Sequence, residues 1–232
     1  KATFDFGGAQ DQAADVAIQT DGRIIVVGTA FATSPNPDFG LLRYNTDGSL
    51  DLGFGGSGRI QTDFGNSDSA FAVGIQTDGR IVVAGTTFGV HPRFALARYN
   101  PDGSLDPTFG AGGKVISTVS GIADRGYSLA IQPDGRIVVV GSTFEASSGI
   151  VFGLARFNAD GSLDGTFGTG GKVFTAFPGL AVAFDVTVQT DGKIVAAGYA
   201  GDGRINGPSD FTLARYNTDG SLDSTFGSGG KV

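Results

Sequence analysis

Four tandem copies of one unit make up this chain of 232 residues and restrict its fold more than any other feature. The segment AVGIQTDGRIVVAG recurs with small changes at 15–28, 72–85, 128–141 and 185–198. A second segment, FALARYNPDGSLDPTFG, recurs at 39–55, 94–110, 152–168 and 211–227. Self-similarity of this kind indicates that every copy forms the same supersecondary unit. We therefore predict a single domain over 1–232, with repeats at about 1–58, 59–113, 114–171 and 172–232.

Each copy contains four strand patterns, which are clearest in the second copy. Large and small side chains alternate over 71–75, the period of two that is typical of a strand. Asp78-Gly79 follows, and this dipeptide favours a hairpin turn because both turn residues need positive φ. The other three strands are predicted over the apolar run 81–84, the alternating run 94–100 and the segment GKVIST at 113–118.

The composition favours turns over helices. Glu145 is the only Glu among 23 acidic residues, and Gly occupies 40 positions. Asp and Gly prefer turns, whereas helical surfaces use Glu freely. No segment shows a sustained apolar period of about 3.6 residues. Four short strands repeated four times predict an all-β fold, a β-propeller of four four-stranded antiparallel blades.

The ends of the chain bear on ring closure. Residues 1–7 align with 59–65, and residues 229–232 repeat the element that precedes that strand in the other copies. This alignment predicts a closed ring, which removes the exposed sheet edges. The same pattern also fits half of an eight-bladed dimer or a fragment of a longer propeller.

The repeated motifs also carry a family resemblance. The units VAIQTDGRIIVVG, FALARYNPDGSLDPTFG and GGKV resemble the bacterial delta-sixty repeat, a β-propeller family that is a domain of unknown function. The resemblance covers nearly the whole chain, and a weaker similarity links it to NHL-type propeller repeats. Similarity to the delta-sixty family implies a large secreted or cell-surface bacterial protein. It implies no catalytic residues.

The composition also excludes several classes of site and partner. The absence of Cys removes disulfides, thiolate metal sites and Cys nucleophiles. The net charge of −7 argues against nucleic acid as a partner. No apolar run approaches the roughly 20 residues that a membrane helix needs, so we expect no membrane insertion. The low charge and the richness in Gly, Thr, Ser and Asp suggest an extracellular bacterial protein.

One repeated motif resembles part of a calcium loop. Asn45, Asp47 and Asp51 surround a Gly turn, but the Glu that ends an EF-hand loop is missing. The favoured interpretation is a turn whose Asn and Asp side chains bind nearby backbone amides. We therefore expect no cofactor, with calcium at these residues as the alternative.

Two further positions recur once per copy and suggest structural roles. A strand Arg is followed by an Asp in each repeat, and the predicted ion pairs are Arg43–Asp51, Arg98–Asp106, Arg156–Asp164 and Arg215–Asp223. A Phe follows each second turn, at 54, 109, 167 and 226, and its repetition predicts core packing rather than a ligand platform.

No catalytic set is recognisable. His91 is the only His, and no G-x-S-x-G segment accompanies it. The stretch GAGGK at 110–114 lacks the GK[ST] ending of a phosphate loop. The sequence does not exclude a pair of carboxylates for glycoside hydrolysis, and the available residues are Asp63, Asp68, Asp185 and Asp210. We predict that the chain is not an enzyme and has no catalytic residues.

Residues that differ between the copies indicate where a specific function lies. Two connections vary in every repeat, and in an up-and-down blade they lie at the same end. The candidate ligand-binding residues of this variable face are Asp38, His91, Arg93, Arg125, Glu145, Tyr199, Asp202, Arg204 and Asp210. The leading hypothesis is a non-catalytic binding or adhesion module that recognises a glycan or a surface protein. The alternatives are a structural spacer or self-assembling element, as monomer or homodimer, and a glycoside hydrolase or lyase that uses loop carboxylates.

Overall fold

The structure is a computed structural model that describes residues 3–7, 10–31, 36–202 and 207–232. The chain divides into two compact units, Lys1–Ser117 and Thr118–Val232. The one helical element among the described residues is the 3₁₀ turn Phe54–Gly56. Across the described residues, no helix has the length and apolar character that a bilayer crossing requires.

The first unit contains two antiparallel sheets of four strands each. The first sheet consists of β1 (Gln12–Ile18), β2 (Ile24–Ala30), β3 (Asp38–Tyr44) and β4 (Arg59–Thr62). The second sheet consists of β5 (Ser67–Ile75), β6 (Ile81–Phe88), β7 (Pro92–Tyr99) and β8 (Lys114–Ser117). Strands that are neighbours in sequence pair in order, so each sheet is a simple meander.

The second unit repeats this arrangement. The third sheet consists of β9 (Arg125–Ile131), β10 (Ile137–Glu145), β11 (Gly149–Phe157) and β12 (Lys172–Thr175). The fourth sheet has three strands, β13 (Leu180–Val188), β14 (Ile194–Gly201) and β15 (Ser209–Tyr216). Val232 exchanges backbone hydrogen bonds of 2.8 and 3.0 Å with Leu213, at the position that a fourth strand occupies in the other sheets.

The meander sorts the connections of each sheet between its two ends. The connections β1–β2 and β3–β4 and their equivalents carry the Asp-Gly turns, and we call this the turn end. The connections β2–β3 and β4–β5 and their equivalents differ among the repeats, and we call this the loop end. The topology of the individual sheets therefore confirms that the variable connections alternate with the repeated turns.

The turn end is held by the predicted ion pairs. The Asp106 carboxylate accepts a hydrogen bond from Arg98 Nε at 2.8 Å and lies 3.0 Å from Arg80 Nε. The Arg98 guanidinium also lies over the Phe109 ring, 4.7 Å from its centroid. Equivalent 2.8 Å contacts join Arg43 to Asp51, Arg156 to Asp164 and Arg215 to Asp223. The predicted pairing is confirmed in all four repeats.

A β-bulge interrupts the first strand of every sheet. The extra residues are Ala14, Phe71, Tyr127 and Phe184. A Gly on the second strand faces each bulge because the bulged strand brings a carbonyl close to it. A Cβ atom on Gly85 would lie 2.0 Å from Ser69 O, and one on Gly141 would lie 1.7 Å from Arg125 O. The bulge therefore requires the Gly that ends the repeated segment AVGIQTDGRIVVAG.

Each unit has a hydrophobic core between its two sheets. We name the two faces of each sheet after residues of the second sheet. The face that carries Tyr99 or its equivalent is the Tyr99-type face, and the face that carries Phe94 or its equivalent is the Phe94-type face. In the first unit, Ile81, Val83 and Tyr99 pack on the Phe94-type face of the first sheet, which includes Phe39 and Leu41. In the second unit, the Tyr99-type face of the fourth sheet packs in the same way on the third sheet. The Tyr99 hydroxyl donates to Thr62 Oγ1 at 2.7 Å across the first of these interfaces.

The closed ring expected from the sequence is not shown. Phe39, Phe94 and Phe152 are fully buried, whereas Phe211 at the same repeat position is 98% exposed. Phe39 and Phe152 are each covered by a Phe from the connection to the next sheet, at ring-centroid distances of 4.8 and 4.9 Å. The Phe94-type face of the fourth sheet thus stays uncovered. Its Phe226 is also partly exposed, unlike the buried Phe of the other repeats.

Candidate functional site

Three aromatic rings form a cluster in the second unit, and we call Tyr127, Phe184 and Tyr199 the aromatic cluster. The Phe184 ring lies 5.3 Å from the Tyr127 ring and 5.7 Å from the Tyr199 ring, centroid to centroid. Phe184 is 51% exposed, and both tyrosines are partly exposed. A half-exposed ring between two others offers a flat apolar surface to a ligand.

The β-bulges explain why these rings meet. Tyr127 and Phe184 are the extra residues of β9 and β13, and a bulge turns such a side chain away from the regular alternation. Tyr199 lies on β14, opposite Val182. All three positions belong to strands, so the backbone holds the rings more rigidly than a loop would.

Polar groups flank the aromatic cluster. Asp185 follows Phe184, is exposed, and accepts a hydrogen bond from Ser128 Oγ at 2.9 Å. Arg125 begins β9 two residues before Tyr127 and is exposed. The cluster therefore combines apolar ring faces with one carboxylate, one hydroxyl and one guanidinium. Such a mixture is typical of sites that bind a ligand with both apolar and hydrogen-bonding groups.

Three carboxylates meet at the loop end of the first unit, and we call Asp38, Asp63 and Asp68 the acidic cluster. One oxygen atom from each lies within 4.8 Å of the others. Asp38 begins β3 and Asp68 is the second residue of β5, and both are buried. Asp63 lies between β4 and β5 and is exposed.

Burial and mutual repulsion act on this cluster. Burial raises the pKa of Asp38, which a hydrogen bond from Gln61 Nε2 at 2.7 Å opposes, and the charge of Asp63 raises it further. Burial likewise raises the pKa of Asp68, against the Thr87 hydroxyl and the Phe64 amide, and Asp38 and Asp63 add to the rise. Neighbouring anions that are shielded from water favour a proton or a cation between them.

Comparison with known proteins assigns the family. All four repeats match the family described as Domain of unknown function (DUF5122) beta-propeller, at residues 19–54, 76–109, 132–167 and 189–226. The chain belongs to this family. The DUF5122 assignment supports the predicted propeller class and tandem repeats, whereas the delta-sixty name and the NHL similarity are not confirmed.

Solved structures show the same fold for this DUF5122 chain. A protein of unknown function from Bacteroides caccae is 12% identical with a TM-score of 0.54, over 96% of this chain and 71% of that chain. A protein of unknown function from Dyadobacter fermentans is 16% identical with a TM-score of 0.57, over 87% of this chain and 52% of that chain. The DUF5122 chain thus spans about half of the second protein. No curated protein matches its sequence.

The prediction about catalysis needs correction. An exo-1,5-alpha-L-arabinanase from a bovine ruminal metagenomic library matches at 13% identity and a TM-score of 0.49, over 90% of this chain and 76% of that chain. The prediction that the DUF5122 chain is not an enzyme is therefore wrong. It depended on the absence of catalytic motifs, and an enzyme is among the structural neighbours of the chain. This neighbour identifies no catalytic residue in the DUF5122 chain.

The structure brings only some of the predicted site residues together. Tyr199 belongs to the aromatic cluster and Asp38 to the acidic cluster. Arg125 on β9 flanks the aromatic cluster. The predicted residues away from both clusters are His91 and Arg93 near the start of β7, Glu145 at the end of β10, Asp202 after β14 and Asp210 on β15. Hydrogen bonds from the hydroxyl groups of Ser147 and Ser148 lower the pKa of Glu145. Arg204 lies outside the described residues.

The motif around Asn45 forms the turn that the sequence favoured over a calcium loop. Asp47 Oδ1 accepts hydrogen bonds from Ser49 N at 2.9 Å and from Ser49 Oγ at 2.6 Å. Asn45 Nδ2 donates to Ser49 Oγ at 3.0 Å, and Asp51 pairs with Arg43. These groups hold the DUF5122 turn end together. The acidic cluster is the only carboxylate group with ligand spacing in the described part of the chain.

Tyr127 and Phe184 are not among the site residues predicted from the sequence. Both residues alternate with small residues, as in a regular packed strand. The bulge that turns their side chains adds one residue to the strand and leaves this alternation of residue types unchanged. The signal for the bulge is the Gly at the end of each second strand, which admits the bulged carbonyl. Asp63 and Asp68 were recognised as available carboxylates, but their proximity to Asp38 depends on the pairing of β3 with β4.

Proposed function

We propose that this chain is a glycan-binding module of a secreted or cell-surface bacterial protein. The single observation that supports it best is the aromatic cluster, in which Phe184 is 51% exposed between Tyr127 and Tyr199. The apolar face of a sugar ring stacks on an aromatic face, and its hydroxyl groups need hydrogen-bond partners nearby. Asp185, Ser128 and Arg125 supply those partners.

The rigidity of the cluster favours a saccharide over a flexible partner. A sugar is a small ligand with few contacts, so its affinity depends on preorganised groups that lose little entropy on binding. The rings stand on paired strands, and the bulge of β13 is fixed by Gly198, where a Cβ would lie 1.9 Å from Val182 O. The platform is therefore formed before the ligand arrives.

A glycan array followed by titration calorimetry tests the proposal. The Phe184→Ala variant removes the central ring, and we expect it to weaken glycan binding by about 10- to 100-fold, because the sugar no longer buries apolar area on that ring, at about 25 cal/mol per Å². The matched control is Phe174→Ala, which removes a ring that is 43% exposed but lies on β12 outside the cluster. Equal affinity of both variants, or no binding to any glycan by the unaltered chain, would contradict the proposal.

A second function, self-assembly, is supported by the uncovered faces. Phe211 is 98% exposed on the Phe94-type face of the fourth sheet. Val16 and Ile18, on the Tyr99-type face of the first sheet, are 57% and 71% exposed. Within each unit a face of the first kind packs on a face of the second kind. We propose that a second copy of the chain covers these faces, as in half of an eight-bladed propeller.

A further inference from the structure

Three repeats place an Asp at the same position before or near the start of the first strand. These residues are Asp11, Asp68 and Asp124. One carboxylate oxygen of each accepts a backbone N–H from the preceding connection: Phe6 at 2.6 Å, Phe64 at 2.7 Å and Val119 at 2.7 Å. The shared role of this Asp is to hold the connection that leads into the sheet.

The second carboxylate oxygen distinguishes Asp68 from its two equivalents. Asp11 Oδ1 accepts a hydrogen bond from Phe31 N at 2.7 Å. Asp124 Oδ1 accepts hydrogen bonds from Ser120 N at 2.9 Å and from Thr143 Oγ1 at 2.5 Å. Asp68 Oδ1 is buried and has no hydrogen-bond partner. A buried anionic oxygen without a partner is strongly unfavourable, and a bound cation would remove this cost.

A second buried polar atom faces the same place. Thr87 occupies the position of Thr143 and is 3% exposed, and its Oγ1 also lacks a hydrogen-bond partner. Thr87 pairs directly with Asp68 across β5 and β6, and paired residues point to the same face of a sheet. The Thr87 hydroxyl therefore faces the Asp68 carboxylate and lowers its pKa. Neither the hydroxyl oxygen nor Asp68 Oδ1 has a partner in hydrogen-bond geometry.

Asp68 is also the member of the three that lies among other carboxylates. Its oxygen, one from Asp38 and one from Asp63 lie within 4.8 Å of one another. Two oxygens bound to one calcium ion at about 2.4 Å each are at most about 4.8 Å apart, so a single ion fits this spacing. Among the described residues, no ion pair involves any of the three carboxylates. Lys114 Nζ lies nearby but donates to the Asp63 carbonyl at 3.0 Å.

We propose that Asp38, Asp63 and Asp68 form a calcium site at the loop end of the first unit. The Thr87 hydroxyl supplies a neutral oxygen, and exposed Asp63 leaves a route for the ion. Calcium fits better than magnesium because magnesium demands near-ideal octahedral geometry and rarely takes more than two carboxylates. The ion would join the start of β3 to the connection before β5, where Asp68 N already donates to Pro37 O at 2.7 Å. The site lies in the first unit and does not depend on glycan binding in the second.

The experiment uses the full chain after treatment with a chelator. Calcium chloride is titrated by calorimetry, and thermal unfolding is measured with and without about 5 mM calcium, above the ~1 mM dissociation constants of weak extracellular calcium modules. We expect one ion per chain and a rise in Tm with calcium, because a ligand that binds only the folded state stabilises it. The Asp63→Asn and Asp68→Asn variants should each bind calcium at least about tenfold more weakly, since affinity follows ligand charge.

Two controls separate binding from folding. Asp124→Asn alters the equivalent carboxylate of the third repeat, which belongs to no group of three ligand residues in the described part of the chain, and should bind calcium like the unaltered chain. Asp63 is exposed, so Asp63→Asn should keep the calcium-free Tm even where Asp68→Asn unfolds. The proposal is overturned when calcium gives neither heat nor a Tm shift, when Asp63→Asn binds as tightly as the unaltered chain, or when magnesium binds more tightly than calcium.

Discussion

The glycine opposite each bulge and the buried arginine of each turn end are the residues on which the repeat depends most. Both appear in every copy, and both act through short distances. Gly85 admits the Ser69 carbonyl at a place where any side chain would collide. Arg98 binds a buried carboxylate and covers a buried ring at once. Substitutions at these two positions test the local structure directly.

The Gly85→Ala variant should be strongly destabilised. Its Cβ would lie 2.0 Å from Ser69 O and 2.9 Å from Ala70 Cα, so the bulge must shift. Overpacking of this kind costs about 1–3 kcal/mol or more. The control is Gly165→Ala, since a Cβ on Gly165 meets nothing within 4 Å. Urea unfolding measures both, and equal midpoints for the two variants would contradict the role of the bulge.

The Arg98→Met variant should lose stability because Asp106 would keep a buried negative charge without its main partner. Arg98 is 5% and Asp106 is 2% exposed, and removal of one partner from a buried pair costs about 3–5 kcal/mol. Arg80 at 3.0 Å still faces Asp106 and should reduce the loss toward the lower value. Arg93→Met, an exposed substitution on the same strand, serves as the control in denaturant unfolding. A loss no larger than that of the control would show that the pair contributes little.

At the scale of elements, the turn ends make stability depend on pH. Burial raises the pKa of Asp106, but hydrogen bonds from Thr108 and the charges of Arg98 and Arg80 outweigh it, so the pKa is lowered. Asp164 behaves in the same way with Thr166 and Arg156. A carboxylate with a lowered folded-state pKa stabilises the fold at pH values above its unfolded pKa of about 4, and this contribution disappears as the pH falls through the folded value.

We therefore expect the urea midpoint to fall as the pH drops below about 4. The raised pKa values of Asp38 and Asp68 act in the opposite direction, so the comparison that isolates the turn end is between the unaltered chain and Asp106→Asn. The difference in unfolding free energy between these two should be largest at neutral pH and should shrink in acid. A difference that grows on acidification would contradict the assignment of the lowered pKa to Asp106.

At the scale of the whole molecule, two uncovered faces are the basis of the proposed self-assembly. Tyr99 and Tyr216 are fully buried by a neighbouring sheet, whereas Tyr44 of the first sheet is partly exposed. Phe211 of the fourth sheet is 98% exposed. Contiguous exposed apolar faces are typical of interaction surfaces.

We expect light scattering after size exclusion to give the mass of a dimer for the unaltered chain. Phe211→Ser removes the exposed ring of the uncovered face and should give a monomer, because the face then offers less apolar area. Val90→Ser is the control, as Val90 is 95% exposed but lies in the connection between β6 and β7. A monomeric mass for the unaltered chain at micromolar concentration would contradict assembly through these faces.

The repeat pattern by itself determined the strands, the Asp-Gly turns and the Arg–Asp pairs. These features depend on neighbours within one copy: alternation reports which side chains face the core, and a dipeptide that tolerates positive φ marks each turn. Arg98 lies on β7, and Asp106 lies 8 residues later in the connection to β8. Their pairing follows from local order, which a sequence records directly.

Only the tertiary structure decided where the candidate sites lie. The acidic cluster requires that β3 pair with β4 and that the next connection return to β5, so that Asp38 meets Asp63 and Asp68. The aromatic cluster requires bulges that shift Tyr127 and Phe184 by one residue. The exposure of Phe211 depends on which face another sheet covers. Residue types do not record such distances, because the separation between side chains from different strands is set by register and packing.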